Sequence, residues 1–127
     1  MMQINFIDGD VIICGRKIPR EEDGMFLLNE LKDILIENNL FNRTFHSVMK
    51  SKGFKDKLSL LTKIKFKSWL SPIYELKKAN LYRVNGRQRD KKSYCSLSVL
   101  IVLLFDYSNE TFDACIKGLI NYDSNKI

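Results

Sequence analysis

The sequence predicts an α+β fold in a single compact domain. Three observations point to it. Two short β-prone runs flank Asp8-Gly9-Asp10, a hairpin-turn signal. Apolar residues then recur at helical spacing between Leu28 and Leu70. A second strand-turn-strand pattern around Asn85-Gly86 leads into two apolar helices. A mostly helical bundle with marginal strands is the alternative. A chain of 127 residues suits one core, and a hydrophobic fraction of 45% with two prolines is that of a globular rather than a disordered chain. The domain is expected over residues 1–127, with its core at about 4–120 and a loose tail from Asn121 to Ile127.

Taken in order, Gln3 to Ile7 and Val11 to Cys14 form the first hairpin. Arg16 to Asp23 is polar and holds Pro19, so a loop is expected there. Met25 to Leu28 is a short apolar run after Asp23-Gly24, a possible third strand. Leu28, Leu31, Ile34 and Leu35 then mark one helix face, with Asn29 as a plausible start and Glu30 and Asp33 favoured by the helix dipole. Asn38-Asn39 breaks the pattern. Phe41, Phe45, Val48 and Met49 resume it up to Gly53. Lys57 to Leu70 is a third amphipathic segment, and Ser71-Pro72 opens a short helix to about Ala79.

Leu81 to Val84, Asn85-Gly86 and Arg87 to Tyr94 read as a basic hairpin with Asn-Gly as its turn. Ser96 can cap an apolar helix ending at Phe105, and Asp106 to Asn109 turns the chain. Ser108 or Asn109 caps a last helix through Ile120, with Phe112, Cys115, Ile116, Leu119 and Ile120 inward.

Charge is segregated along this order. Residues 1–40 carry four basic and eight acidic side chains; residues 41–92 carry fifteen basic and three acidic; residues 93–127 carry two and four. The middle segment thus holds a net +12 inside a chain whose total is +6. Between Arg43 and Lys67 the single acid is Asp56. A solvated helix face favours mixed charge, so concentrated repulsion of one sign points to an anionic partner. Nucleic acid is the commonest such partner. The candidate contacts are Arg43, Lys50, Lys52, Lys55, Lys57, Lys63, Lys65 and Lys67 on the helical segments. Arg83, Arg87, Gln88, Arg89, Lys91 and Lys92 join them on the second hairpin, laid out like a wing beside a recognition helix. Tyr82 and Tyr94 are the aromatics expected to be exposed there.

Catalytic chemistry has little to work with. His46 is the single histidine, and no Gly-rich phosphate loop, GxSxG elbow or HExxH is present. A Cys95/His46 pair is open but nothing in the pattern supports it. Cys14, Cys95 and Cys115 are odd in number, widely spaced and without a CxxC, so they read as small apolar fillers in a reducing compartment. No catalytic residue, metal or cofactor is expected. Met1 to Phe6 has no basic leader, and the apolar run Leu97 to Phe105 is too short to span a bilayer, so a cytoplasmic protein without membrane partners is expected.

Some of these residues resemble a known family. Asp23-Gly24-Met25-Phe26-Leu27-Leu28-Asn29-Glu30-Leu31 resembles the entry into the first helix of KilA-N domains. Tyr94, the apolar helix to Phe105, and Ser108-Asn109-Glu110-Thr111-Phe112 with Ile116 resemble their C-terminal block. Phe66-Lys67-Ser68-Trp69-Leu70 looks like the family's F-x-x-W-L element, with Phe41-Asn42-Arg43-Thr44-Phe45 as the other candidate. The chain departs from the pattern at Ser96-Leu97, where His-Pro is frequent, and near Phe105, where Trp is frequent. The resemblance implies an α+β domain similar to the APSES core, double-stranded DNA binding, and a phage or prophage regulator acting in the bacterial cytoplasm. Two other partners stay open: an acidic protein surface met by an antirepressor-like module, and single-stranded nucleic acid stacked on the aromatics. The apolar faces of the last two helices fit either a monomer or a homodimer.

Overall fold

A helix apolar on every side has to be enclosed by the rest of its domain, and Leu97–Tyr107 is such a helix. In the computed structural model, which describes residues 2–22, 24–61, 82–85 and 92–124, the chain wraps around it. Strands β1 (Ile4–Ile7), β2 (Asp10–Ile13) and β3 (Arg16–Lys17) form an antiparallel meander. Strand β4 (Phe26–Leu27) leads into helix α1 (Leu28–Glu37), followed by α2 (Phe45–Met49) and α3 (Lys52–Leu61). Strands β5 (Tyr82–Asn85) and β6 (Lys92–Cys95) pair with each other, and β4 lines the other edge of β6. Helices α4 (Leu97–Tyr107) and α5 (Asn109–Ser124) complete the described chain. The result is the expected compact α+β domain, with five helices and two small antiparallel sheets among the described residues.

The first turn is as read: Ile7 pairs with Asp10, and Asp8 and Gly9 take φ of +50° and +86°, the left-handed pair a two-residue hairpin requires. The same device recurs at Cys14 and Gly15, with φ of +52° and +80°. It folds Arg16–Lys17 back on β2, where a loop was expected. The signal was present but weak, because Cys is an unusual residue for a left-handed position. Alternation then places Ile4, Phe6, Val11 and Ile13 inward, followed by Ile18.

Helix α1 starts one residue before Asn29. Leu27 occupies the cap position without a side-chain hydrogen bond, and Asn29 Oδ1 instead accepts from the Ser93 backbone N–H at 2.8 Å, tying the helix to β6. Asn38-Asn39 ends it as expected, with Asn39 at φ +57°. Phe41 is not helical. Thr44 caps α2 by accepting from the Ser47 N–H, and Ser51 does the same for Phe54 in α3. Gly53 therefore lies inside α3 rather than ending α2, and α3 begins at Lys52, ahead of the expected Lys57. Residues 62–81, including the expected helix after Ser71-Pro72, lie outside the described residues.

Asn85 pairs with Lys92 inside the second sheet, where it was expected in the turn. The connection falls to residues 86–91, outside the described residues. Tyr94, expected to be exposed, is buried. Ser96 caps α4 as read, and α4 extends through Tyr107, two residues past Phe105. Ser108 and Thr111 then exchange hydrogen bonds that open α5 at once. That helix continues through Ser124, where a loose tail from Asn121 was expected.

Helices α2, α3 and α5 pack on α4, β1 packs on α5, and α1 packs on β6. The β1–α5 contact is close because of Gly118: a Cβ there would overlap the Ile4 carbonyl oxygen and stand 3.2 Å from the Phe6 ring. Ala is otherwise the better helix residue, but overlap with backbone outweighs that preference. Gly118→Ala should lower stability by about 1–3 kcal/mol, read as a shift in the urea midpoint. An unchanged midpoint would refute the close contact.

Candidate nucleic-acid interface

In the acidic N-terminal part Arg16, Lys17 and Arg20 meet acids of the same part. Arg16 on β3 donates to Glu30 (2.6 Å) and also pairs with Glu37, so one guanidinium staples the first sheet to α1. These hydrogen bonds, Glu30's first, raise its pKa further and keep it charged. Lys17 meets Asp10 at 3.3 Å. Arg20 donates to the Gly9 carbonyl at 2.7 Å and lies 5.9 Å over the Phe26 ring. Lys32 stands 5.4 Å over the Phe41 ring.

The helical basic segment differs. Helix α3 buries Phe54 and half-buries Leu58, while Lys52, Lys55, Asp56, Lys57, Ser59 and Leu60 are exposed. Lys50 at the end of α2 and Lys55 are exposed with no ion pair among the described residues. Lys52 is 92% exposed and reaches Asp56 only at 4.0 Å, a separation that contributes little in water. Lys92 on β6 is likewise exposed and unpaired among the described residues. Phe45 at the start of α2 and Ser93 on β6 line one cleft of about 230 Å³, joined by Leu28, Asn29 and Lys32. The start of α2 and β6 thus meet at one cleft beside α1.

Two residues expected among the contacts have structural duties. The last carbonyls of a helix lack partners within it, and Arg43 supplies them for α4. Its Nη2 donates to the Tyr107 carbonyl at 2.8 Å and to that of Asp106, and the guanidinium lies 5.6 Å from the Tyr107 ring centroid. A cation at a helix C-terminus also meets its negative dipole end. Lys57 meets Asp106 Oδ1 at 2.7 Å. This carboxylate is only 12% exposed, so the pair anchors α3 to the end of α4. Sequence spacing gave no sign of these roles, since Arg43 and Asp106 are far apart in the chain.

Tyr107 is the residue that sequence reasoning missed. Its hydroxyl accepts from the Asn42 and Arg43 N–H groups (3.0 and 3.2 Å) and donates to the Arg43 carbonyl at 2.8 Å. Its ring stacks on Phe41 and meets Phe45 edge-on at 5.7 Å. It therefore fixes the non-helical lead into α2, and with it the direction of the basic helices. Lys63, Lys65, Lys67, Arg87, Gln88, Arg89 and Lys91 lie outside the described residues, as does the side chain of Arg83.

His46 is exposed on α2, while Cys95 is fully buried in β6. Among the described residues no three His, Cys, Asp or Glu side chains gather as metal ligands, and no helix is long and apolar enough to cross a membrane. All three cysteines are free thiols. Burial raises the Cys115 thiol from 9.0 to about 12 and pushes that of Cys95 up as well, because no charge compensates a thiolate there. Comparison of the chain with family models, curated proteins and solved structures finds no match.

Two outcomes are expected. Tyr107→Phe leaves three backbone groups short of a partner and should lower stability by about 1–3 kcal/mol, with the far-ultraviolet circular dichroism spectrum retained. Alkaline pH should also destabilise the fold. Up to the ordinary thiol value of 9.0, Cys95 and Cys115 are protonated in both states and their contribution is complete. Above it the unfolded chain loses protons that the folded chain keeps, so stability falls as the pH rises toward about 12. Cys115→Ala should reduce that fall, as measured by urea unfolding at a series of pH values.

Proposed function

We propose that this protein is a non-enzymatic double-stranded DNA-binding domain that engages phosphates through α2, α3 and the β5–β6 hairpin. The observation that carries the reading is the contrast in charge pairing. Cations of the first sheet are held by nearby acids, whereas Lys50, Lys55 and Lys92 are exposed without ion pairs among the described residues. Lysines without an acid partner among the described residues leave positive potential at the surface for an external anion. Lys52 belongs with them, given its long and exposed contact to Asp56. Arg43 and Lys57 are positioning residues in this scheme.

The cleft between α1, α2 and β6 is lined by Lys32, Asn29, Phe45 and Ser93, and we take the helix lysines and the basic hairpin segment as two parts of one contact. The hairpin arginines suit this role, because a guanidinium bonds phosphate or a guanine edge through two parallel hydrogen bonds. The resemblance of Asp23–Leu31 and of the C-terminal block to KilA-N domains leads to the same partner, and with it to a phage or prophage regulator in a bacterial cytoplasm.

Fluorescence anisotropy with a random-sequence duplex over a range of salt concentrations tests the proposal. Affinity should fall steeply with salt, at about 0.9 logarithmic units per phosphate neutralised. Replacing Lys50 and Lys55 together by Ala should weaken binding and reduce the slope by about two units, and replacing Arg87 and Arg89 should do the same. Absence of binding at low salt would overturn the proposal in favour of an acidic protein partner. Preference for poly-pyrimidine single strands would replace the duplex by single-stranded nucleic acid.

A further inference from the structure

Helix α5 has two apolar sides, and the fold uses one. Thr111, Ala114 and Cys115 are buried, and Gly118 lies against Ile4 of β1. On the opposite side Phe112 is 42% and Ile120 58% exposed, although helical spacing had assigned both to the core. Ile116, half-buried, lies between them. Steps of four residues align these three side chains in one seam along the helix.

We infer that this seam joins two copies of the chain, with their α5 helices antiparallel about a two-fold axis near Ile116. The charges beside the seam select this occupant. Asp113 and Lys117 lie on one flank of it and form an exposed ion pair of 2.9 Å within the chain. A two-fold axis across antiparallel helices turns each flank toward its own copy. Centred near Ile116, it brings Lys117 beside the partner's Asp113, and Asp113 beside the partner's Lys117. Each ammonium then lies between two carboxylates. Parallel helices would instead turn this flank toward the partner's opposite flank, away from the partner's Asp113 and Lys117. The seam itself pairs Phe112 with the partner's Ile120.

Two further features favour this pairing. The Phe112 ring is already held edge-on to Phe105, with centroids 5.5 Å apart, so docking costs little side-chain freedom. The face also belongs to the segment 93–127, which carries a net −2 against the +12 of residues 41–92, so its own charge opposes self-association less.

The test is the mass of the full chain, by sedimentation equilibrium without nucleic acid, at increasing protein concentration. It is therefore independent of the proposed DNA binding, and either can fail alone. The mass should rise from 14.9 kDa toward twice that value. Ile120→Asp should abolish the rise while leaving the far-ultraviolet circular dichroism spectrum unchanged, since Ile120 is exposed in the single chain. Asp113→Lys sets two lysines against the partner's Lys117 and should weaken the dimer by about tenfold or more. Combining Asp113→Lys with Lys117→Asp should restore it. A monomer at every concentration, or a dimer indifferent to Ile120→Asp, would overturn the inference.

Discussion

The enclosure of α4 is the constraint on which the rest of the structure depends. From Leu97 to Leu104 every residue is buried, and Tyr107 joins them. Backbone groups at the ends of so deep a helix have little access to water and need partners from the protein. At the N-terminus Ser96 Oγ accepts from the Val99 N–H, and the buried Ser98 hydroxyl bonds to Ser96 at 2.9 Å. Toward the C-terminus Thr111 Oγ1 donates to the Leu104 carbonyl, and Arg43 donates to those of Asp106 and Tyr107. Thr111 and Arg43 come from the segments that follow and precede α4 in space. Satisfying this helix therefore also places α5 and the lead into α2.

The same junction orders the basic surface. Tyr107 holds the Asn42–Arg43 backbone, Lys57 anchors α3 through Asp106, and Gly53 passes Asp106 Oδ2 at what would be Cβ contact distance. Part of the positive charge is thus spent inside the protein to aim the remainder outward. At the other end of the molecule Arg16, Lys17 and Arg20 are absorbed by Glu30, Glu37 and Asp10. The segregation seen along the sequence becomes one of availability: acids and bases cancel around the first sheet, while Lys50 at the end of α2 and Lys55 on α3 have no ion pair among the described residues. The proposed two-fold contact through α5 would carry two such surfaces on one particle.

Local chemistry was legible where one segment decides its own conformation. Asp8-Gly9 dictated a left-handed turn, Asn38-Asn39 a helix end, and Ser96 and Ser108 the caps of two helices. Reading failed where a partner distant in the chain decides. Cys14-Gly15 turns the chain because Arg16–Lys17 finds β2 to pair with, and Asn29 is drawn into the helix while its side chain reaches Ser93. Asn85-Gly86 has the strongest local turn signal in the chain, yet the register with β6 makes Asn85 part of a strand. Phe112 and Ile120 fit the periodicity of a buried face, but α5 turns a different side to α4, with Gly118 against β1.

The sequence by itself determined the α+β class, the approximate order of strands and helices, and the confinement of positive charge to residues 41–92. These follow from periodicity, turn chemistry and composition, which act over a few residues or over a whole segment. Tertiary structure alone decided which charges remain available. Whether a lysine faces solvent or an aspartate depends on contacts such as Lys57 with Asp106 and Arg43 with Tyr107, between residues about fifty or more positions apart. No local pattern encodes such a pairing, because electrostatic energy depends on separation in space and on burial, and both are set only when α4 is enclosed.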